Sequence, residues 1–366
     1  MIDRRLFTNF DWKVLALILL IAGIGVINIH SASASYKIAG LPYSLKQFYW
    51  LVIGSGLVLV VCSVDYHILE DFSYWFYGTL LVFLLLVLVV GRTSMGATRW
   101  IHLGFFSMQP SEPMKIVIIM TFARYFSRNP SVNLLGWNDI WKPLFLLALP
   151  ALFIAKQPDL GTAIMVCLVA GTITIAVGIR WSLVLSMVVS ALPVIYVAWT
   201  YLLRGYQKNR ILNFLDPERD PLKSGYHLIQ SKIAVGSGGI FGKGFMHGTQ
   251  SQLRFLPEQH TDFAFSVFAE EWGFVGAMIL LFLYMALVLW GLHVASRCSD
   301  RFGTLLAVGV TAMIFCHIII NIGMVIGLFP VVGVPLPFFS YGGTSMITSM
   351  IGAGLLLNIS MRRFMF

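Results

Sequence analysis

The sequence has few charged residues, and this scarcity excludes an ordinary soluble domain. Of its 366 residues, 11% are charged and 58% are hydrophobic, whereas a soluble globular chain carries about 25% charged residues. The length would fit roughly two soluble domains, but one bundle of membrane-spanning helices uses the same length. The composition therefore predicts an all-α integral membrane protein with a single transmembrane domain over residues 1–366.

Cysteines and basic runs are also scarce. The four cysteines lie in or beside apolar segments without the spacing of metal ligands, which argues against a disulfide framework. The net charge of +9 comes with no basic run or basic–aromatic patch, so we expect no nucleic-acid partner. In a membrane protein, Lys and Arg mark the cytoplasmic ends of spans and contact anionic membrane lipid.

The sequence is rich in long apolar stretches. A spanning helix needs about 20 mostly apolar residues. Stretches that reach or approach this length lie at 12–32, 46–64, 73–91, 112–127, 143–156, 160–179, 182–203, 263–296, 303–329 and 340–360. They predict a polytopic bundle of about ten transmembrane helices. The weakest stretch, 143–156, contains Pro150 and is either a kinked span or a re-entrant segment.

The distribution of Lys and Arg predicts the orientation of this bundle. With the N-terminus in the cytoplasm, the inner loops and helix ends hold ten basic residues and the short outer loops hold five. This bias agrees with the positive-inside rule. Both termini are then cytoplasmic, and a large loop at about 204–262 is extracytoplasmic.

Several polar motifs fall on the outer surface in this orientation. They are RW at 99–100, QPSEPMK at 109–115, KQPDLGT at 156–162, HTD at 260–262 and FFSYGGTS at 338–345. The inner loops carry little beyond short basic turns. Any chemistry or binding is therefore expected at the extracytoplasmic face.

Two segments of the large loop have informative patterns. Tyr226, Ile229 and Ile233 fall on one helical stripe, which predicts an amphipathic helix lying on the membrane surface. Residues 236–244, GSGGIFGKG, predict flexible backbone that can approach a ligand closely. They are not a phosphate-binding P-loop, because Ser237 stands where its first glycine belongs.

Two pairs of charged residues each have a structural and a functional interpretation. Glu112 and Lys115 share a helix face at i and i+3. They form an ion pair that packs the bundle, or Lys115 meets an anionic ligand while Glu112 holds it. Lys156 and Asp159 flank a tight turn, where Asp159 is placed to cap the next helix. Arg99, beside Trp100, is either an interfacial anchor or part of a site.

Asp262 begins the apolar run 263–296 and also has two interpretations. Either it or Thr261 caps that helix, or its carboxylate faces a ligand at the outer surface. Ser266 and Glu270 follow at i+4 and i+8, so one face stays polar for more than two turns. We expect this face to line a cavity.

Three further polar residues lie within apolar stretches. Glu271 points away from the polar face of its helix and is expected to pair with a basic group. His317 and Asn321, at i and i+4, are expected to make interhelical hydrogen bonds.

The cations Arg99, Lys115, Lys156 and Arg210 are candidates to surround Asp262. A carboxylate beside several cations suits a substrate with a hydroxyl to deprotonate and an anionic group to neutralise. The same set would also suit a proton or ion relay.

In its polar motifs the chain resembles the SEDS family of bacterial cell-wall proteins. The motifs that carry the resemblance extend along the whole chain at 109–112 (QPSE), 156–163 (KQPDLGTA), 205–239, 256–276 (LPEQHTDFAFSVFAEEWGFVG) and 329–345 (FPVVGVPLPFFSYGGTS). FLDPERDP and HGTQSQLRFLPEQHTDF are more similar to the elongation-type, RodA-like branch than to the division-type branch.

This resemblance implies a peptidoglycan glycosyltransferase of the bacterial inner membrane that polymerises lipid II during cell elongation. It implies an inverting transfer that releases undecaprenyl pyrophosphate, and a class B penicillin-binding protein as partner within an elongation complex. The family's essential aspartate falls on Asp262, and its basic groups fall on Arg99 and Lys115. Further candidates for substrate binding are Glu112, Lys156, Asp159, Arg210, His260, Ser266 and Glu270. The expected cofactor, if any, is a divalent cation, Mg²⁺ or Mn²⁺, with no organic cofactor.

Two other functions compete with this one. A flippase for the lipid-linked precursor would use the intramembrane Glu270. Against it, the charged motifs collect at one surface, whereas carriers place their site near the bilayer midplane. The third possible function is a non-catalytic scaffold that docks the penicillin-binding protein.

Overall fold

The protein is almost entirely helical, as the composition predicts. The computed structural model describes residues 10–34, 40–94, 97–102, 107–129, 134–202, 205–216, 224–256 and 258–363. Its helices are α1 (Trp12–Ser33), α2 (Tyr43–Ser63), α3 (Tyr66–Val90), α4 (Ser111–Arg128), α5 (Trp137–Lys156), α6 (Leu160–Val177), α7 (Trp181–Val197), α8 (Gly205–Leu215), α9 (Ser224–Ser237), α10 (Thr249–Gln252), α11 (Ala264–Arg297), α12 (Arg301–Val325) and α13 (Gly343–Arg362).

Eight of the described helices are long and apolar enough to span a membrane, namely α1, α2, α3, α5, α6, α11, α12 and α13. The weak stretch 143–156 belongs to α5, which is 20 residues long despite Pro150. The two remaining predicted spans also form helices. However, α4 carries four charged side chains in 18 residues, and α7 contains Pro193 and ends in a π-helical turn, Ala198–Leu202. The number of crossings, eight to ten, stays a prediction.

The core of the bundle lies around α12, which packs against α4, α6 and α11. Small residues allow the close approach. A Cβ added to Gly309 of α12 would meet Ile119 of α4 at 2.4 Å and Ile173 of α6 at 2.8 Å. Because lipid gives no hydrophobic driving force between helices, such close packing is a main source of association energy in membranes.

A small antiparallel sheet connects α3 to α4, and the sequence patterns did not reveal it. Its strands are β1 (Arg92–Ser94), β2 (Ala97–His102) and β3 (Ser107–Met108), in the order β1-β2-β3. Thr, Trp and Ile, which favour strands, make up three of the six residues of β2. The sheet is short, and β2 carries Arg99.

A polar cluster joins four segments at the end of the bundle where the described chain begins and ends. His67 Nδ1 lies 2.8 Å from Asp65 Oδ1, and its Nε2 lies 3.8 Å from Asp300 Oδ2. Arg362, at the end of α13, lies 3.7 Å from Asp65 Oδ2. Asp11, just before α1, accepts a hydrogen bond from the last turn of α13. The polar motifs of the sequence lie at the opposite end.

We expect Asp300→Ala to lower the thermal unfolding temperature measurably. Asp300 caps α12 by accepting from Gly303 N at 2.6 Å, and it accepts from the Tyr66 hydroxyl at 2.5 Å. Loss of a cap costs about 0.5–2 kcal/mol, and an unpaired buried hydroxyl adds about 1–3 kcal/mol. Asp139→Ala is the matched control, since that carboxylate accepts from Gly136 N at an exposed helix start. Equal melting shifts for the two variants in detergent would contradict this account.

Candidate functional site

Asp262 lies in the turn that precedes α11. The helix begins at Ala264, and its N-cap is Phe263 without a side-chain hydrogen bond. The alternative that Asp262 or Thr261 caps this helix is therefore wrong. Thr261 Oγ1 instead donates to Glu258 O at 3.2 Å. Within the described part of the chain, burial and nearby charges act on the Asp262 carboxylate, but no hydrogen bond does. Both oxygens therefore remain able to bind a ligand.

The electrostatic surroundings of Asp262 come from four different parts of the chain. The pKa of Asp262 is raised to about 6, first by burial and then by the Glu258 carboxylate. The guanidinium groups of Arg210 and Arg99 act in the opposite direction, and the Asp159 carboxylate raises the pKa slightly. A carboxyl group with a pKa near neutrality is suited to accept and release a proton.

Arg99 and Asp159 connect three of the predicted motifs. The Arg99 guanidinium donates to Pro158 O, and its Nη1 lies 3.7 Å from Asp159 Oδ1. Asp159 caps α6 by accepting from Thr162 N at 3.3 Å and from its Oγ1 at 2.9 Å. Gln109 Nε2 donates to Asp159 Oδ2 at 2.9 Å. The capping role predicted for Asp159 is confirmed, and the motifs at 99, 109 and 159 do meet.

Glu112 and Lys115 form the ion pair that their spacing predicted. Lys115 Nζ lies 2.9 Å from Glu112 Oε1 and 2.8 Å from His317 Nε2. Both members of the pair are buried, with 5% and 2% of their surface exposed. In the described part of the chain the Lys115 ammonium contacts Glu112 and His317, and not Asp262.

The interhelical hydrogen bond predicted for His317 is confirmed by its contact with Lys115 of α4, whereas Asn321 bonds to a turn and a loop and not to another helix. His317 Nδ1 lies 3.0 Å from Pro335 O. Asn321 Nδ2 donates to Asp262 O at 3.0 Å and to Val334 O at 2.7 Å. These contacts attach α12 to the turn before α11 and to the loop before α13.

His260 is part of a group of aromatic rings next to Asp262. Its ring stacks on Tyr43 at 4.5 Å between centroids, and Tyr341 lies 5.7 Å away. Tyr341 N also donates to His260 O at 2.9 Å. Burial lowers the pKa of His260, while the Glu258 carboxylate opposes this effect. The sequence reasoning singled out His260 but missed both tyrosines, whose positions depend on α2 and on the loop before α13.

On the polar face of α11, Ser266 and Glu270 meet described groups of the protein itself and not a cavity, contrary to our expectation. Ser266 is fully buried, and its Oγ lies 2.9 Å from Ser231 Oγ of α9. Glu270 is also fully buried, and Lys243 Nζ lies 2.7 Å from its Oε1. Its carboxylate also accepts from the backbone N–H groups of Gln250 and Ser251 at the start of α10. Protein from the large loop fills the space that we had assigned to a ligand.

The glycine-rich segment 236–244 is held firmly, so the prediction of flexible backbone there is wrong. α11 is broken at Gly273, which has a φ of 65°. Lys243 N and Gly244 N donate to the carbonyls of Glu270 and Glu271 before the break. After it, Phe274 N and Val275 N donate to the carbonyls of Gly239 and Ile240. The segment thus supplies partners for the peptide groups that the break leaves unpaired.

We expect Glu270→Gln to loosen this segment without touching Asp262. The amide still accepts one hydrogen bond but no longer pairs with the Lys243 ammonium. We therefore expect limited proteolysis to cut between residues 238 and 256 faster than in the wild type, with a lower melting temperature. Glu271→Gln is the matched control, because that neighbouring buried carboxylate accepts from the Ser31 hydroxyl and from Met246 N but forms no ion pair with Lys243. Faster cleavage in the control than in Glu270→Gln would contradict this assignment.

Two other predictions differ from the structure. Lys156, one of the cations expected around Asp262, is exposed at the end of α5. Glu271 pairs with a serine hydroxyl and not with a basic side chain. The membrane-surface stripe of α9 stays a prediction: the helix packs through Leu228, Ser231 and Ala234 and leaves Ile233 44% exposed.

A resident metal is not supported by the side chains in the described part of the chain. No group of three or more His, Cys, Asp or Glu side chains there is arranged to hold a metal ion. The four cysteines are free, as expected.

The chain is similar to known proteins along nearly its whole length. The model of the FtsW/RodA/SpoVE family of cell cycle proteins matches residues 11–364. The peptidoglycan glycosyltransferase MrdB of Escherichia coli K12 is 42% identical over 342 residues, which cover 92% of this chain and 91% of that protein. The peptidoglycan glycosyltransferase RodA of Treponema pallidum is 35% identical, with 97% and 98% covered.

Two solved structures have the same fold. One comes from a study of how a peptidoglycan synthase complex coordinates polymerization and crosslinking. It matches with a TM-score of 0.83 and 32% identity over 98% of this chain and 99% of that one. The rod shape determining protein RodA of Thermus thermophilus matches with a TM-score of 0.72 and 29% identity, covering 97% and 98%.

Proposed function

We propose that this chain, which belongs to the FtsW/RodA/SpoVE family of cell cycle proteins, is a peptidoglycan glycosyltransferase. Relatives that share most of its length carry that name. Its substrate is lipid II, which it polymerises into β-1,4 glycan strands during cell elongation and shape maintenance. The observation that carries the proposal is the Asp262 carboxylate, which caps no helix and lies within the field of Arg99 and Arg210.

In the proposed reaction Asp262 acts as the general base. The 4-hydroxyl of the acceptor sugar attacks the anomeric carbon of the lipid-linked donor, and its proton passes to the Asp262 carboxylate. The bond between that carbon and the pyrophosphate breaks, and undecaprenyl pyrophosphate leaves. Attack opposite the leaving group inverts the anomeric centre. Glycoside hydrolases need a second carboxyl group to protonate a poor leaving group, whereas pyrophosphate leaves as a stable anion.

Arg99 and Arg210 are the side chains that we assign to the pyrophosphate. Their guanidinium groups come from β2 and α8, and both lower the pKa of Asp262. Arginine suits a bidentate grip on phosphate oxygens. Negative charge that develops on the leaving group would be neutralised here. Lys115 supports the pyrophosphate site indirectly, through its contact with His317.

We further propose the orientation that the basic residues predict. Both termini face the cytoplasm, and the end of the bundle that carries Asp262 faces outward, in the inner membrane of a bacterium. A class B penicillin-binding protein is the proposed partner, since the similar synthase complex couples polymerization to crosslinking. A divalent cation stays an untested part of the proposal, and we derive no step through it.

The test is polymerisation by the purified protein in detergent. Labelled lipid II is incubated with the chain, with and without a class B penicillin-binding protein and with Mg²⁺, Mn²⁺ or EDTA. Glycan chains resolved on a gel support the proposal. Flipping of lipid II in proteoliposomes without any polymer would favour the carrier instead. The residue that motivated a carrier, Glu270, already has a structural partner in Lys243.

A further inference from the structure

Two polar side chains on one face of α12 contact both backbone segments that surround Asp262. Asn321 and His317 are one helical turn apart, with 0% and 5% of their surface exposed. Asn321 donates to Asp262 O and Val334 O, and His317 contacts Pro335 O. The proposed function assigns no role to Asn321 and uses His317 only as the contact of Lys115.

The partners of these side chains fix their orientation. Both acceptors of Asn321 are carbonyl oxygens, so its nitrogen must face them. Pro335 O can only accept, so His317 Nδ1 carries the proton. His317 Nε2 is then unprotonated and accepts from the Lys115 ammonium at 2.8 Å. The ring is therefore neutral and links Lys115 to the loop through its two nitrogens.

The loop that these residues hold faces the Asp262 carboxylate directly. Gly333 has a φ of +74°, and a Cβ at this position would lie 3.3 Å from Asp262 Oδ2. The carbonyl groups that follow, on Val334 and Pro335, are the ones bound by Asn321 and His317. One helix face thus fixes the residue that carries the carboxylate and the backbone packed against it.

We propose that Asn321 and His317 are positioning residues that set the place of the Asp262 carboxylate through the backbone. No capping bond holds that side chain, so its position depends on the turn and on the loop. This inference rests on the proposed function. A shift of about 1 Å in a reacting group costs on the order of 100-fold in rate, so loss of either contact should appear in kcat.

The matched pair for the test is Asn321→Leu and Asn358→Leu. Asn358 is also fully buried and also donates to two carbonyl oxygens, Val61 O and Val64 O, both at 2.6 Å. It lies at the opposite end of the bundle. Asn358 Oδ1 also accepts from Arg362 Nε at 2.8 Å. The control substitution therefore removes at least as many hydrogen bonds as Asn321→Leu from an equally buried site, and both variants should have a lower melting temperature.

Initial polymerisation rates over a range of lipid II concentrations separate positioning from stability. For Asn321→Leu we expect kcat to fall about 10- to 100-fold while KM changes less than about twofold. We also expect the acidic limb of its pH–rate profile to move. The charges that face Asp262 and set that limb are Glu258, Arg210, Arg99 and Asp159. Asn358→Leu should leave kcat and the limb unchanged, and wild-type kcat and limb in Asn321→Leu would overturn the proposal.

His317 gives a second test that does not depend on the folding of Asn321→Leu. In His317→Asn the amide nitrogen can replace Nδ1 and keep the bond to Pro335 O. In His317→Gln the longer side chain can reach Lys115 but loses that bond. We expect His317→Asn to keep the higher kcat, and the reverse order would overturn positioning through the loop. An inactive wild type, or a fully active Asp262→Asn, would instead overturn the proposed function itself.

Discussion

Polymerisation of lipid II by Asp262→Asn should fall by at least about 100-fold, and by up to about 10,000-fold, the range typical of a lost general base. The amide has the shape of the carboxylate but cannot accept the proton of the acceptor hydroxyl. The carboxylate neither caps α11 nor accepts a hydrogen bond from the described residues, so the substitution removes no structural contact there. The measurement is the initial rate of glycan formation in detergent.

The wild-type rate should also depend on pH in a defined direction. The pKa of Asp262 is about 6, so the base is ionised near neutral pH and becomes protonated as the pH falls. We expect kcat/KM to decrease through about pH 6 and to lose about tenfold per further pH unit. A rate that is flat between about pH 7 and pH 5 would remove Asp262 from the role of base.

The stability of Asp262→Asn provides the control for folding. The folded protein raises the pKa of this carboxyl above its ordinary value of 3.8. The ionised form is therefore disfavoured by folding at pH values above about 6, and this cost disappears as the pH falls below the ordinary pKa. Because asparagine cannot ionise, the variant should melt at the same or a higher temperature than the wild type at neutral pH. A clear loss of stability would make its inactivity uninformative.

Removing one partner of the buried Glu112–Lys115 pair should cause the largest loss of stability. Lys115→Met leaves the Glu112 carboxylate buried without its cation, and also removes the donor to His317 Nε2. An uncompensated buried charge costs about 3–5 kcal/mol. We expect a large drop in the melting temperature of the detergent-purified variant. Arg128→Met is the control, because its pair with Glu70 is solvent-exposed on the arginine side.

The double variant Glu112→Gln/Lys115→Met separates packing from chemistry. Replacing both charges removes the uncompensated carboxylate, so the melting temperature should recover most of the loss. If Lys115 supports the pyrophosphate site through His317, polymerisation should stay low in the stable double variant. Full recovery of both stability and activity would restrict Lys115 to packing.

Local chemistry explains which parts of the site were predictable from the sequence. The cap at Asp159 and the pair Glu112–Lys115 depend on residues three apart, and both are present. The meeting of Arg99 with the turn at Asp159 followed from counting crossings, because alternate loops share one end of a bundle. Motif spacing thus placed Asp262 near two of its four expected cations.

The parts that were missed depend on contacts between distant segments. Lys243 and Glu270 are 27 residues apart, and Ser231 and Ser266 are 35 residues apart. A polar face on a helix indicates only that something polar or aqueous meets it. Here that partner is the chain itself, and no helical period distinguishes a folded loop from a ligand. The composition of 236–244 likewise could not show that its glycines fit against a broken helix.

The break in α11 has a consequence for tagging and labelling this protein. Trp272 and Phe274, on either side of Gly273, are 45% and 64% exposed. Residues 239–244 supply the hydrogen-bond partners that the broken helix lacks. An epitope inserted there would leave those peptide groups unpaired, which is most costly wherever lipid replaces water, so probes of topology belong on other turns.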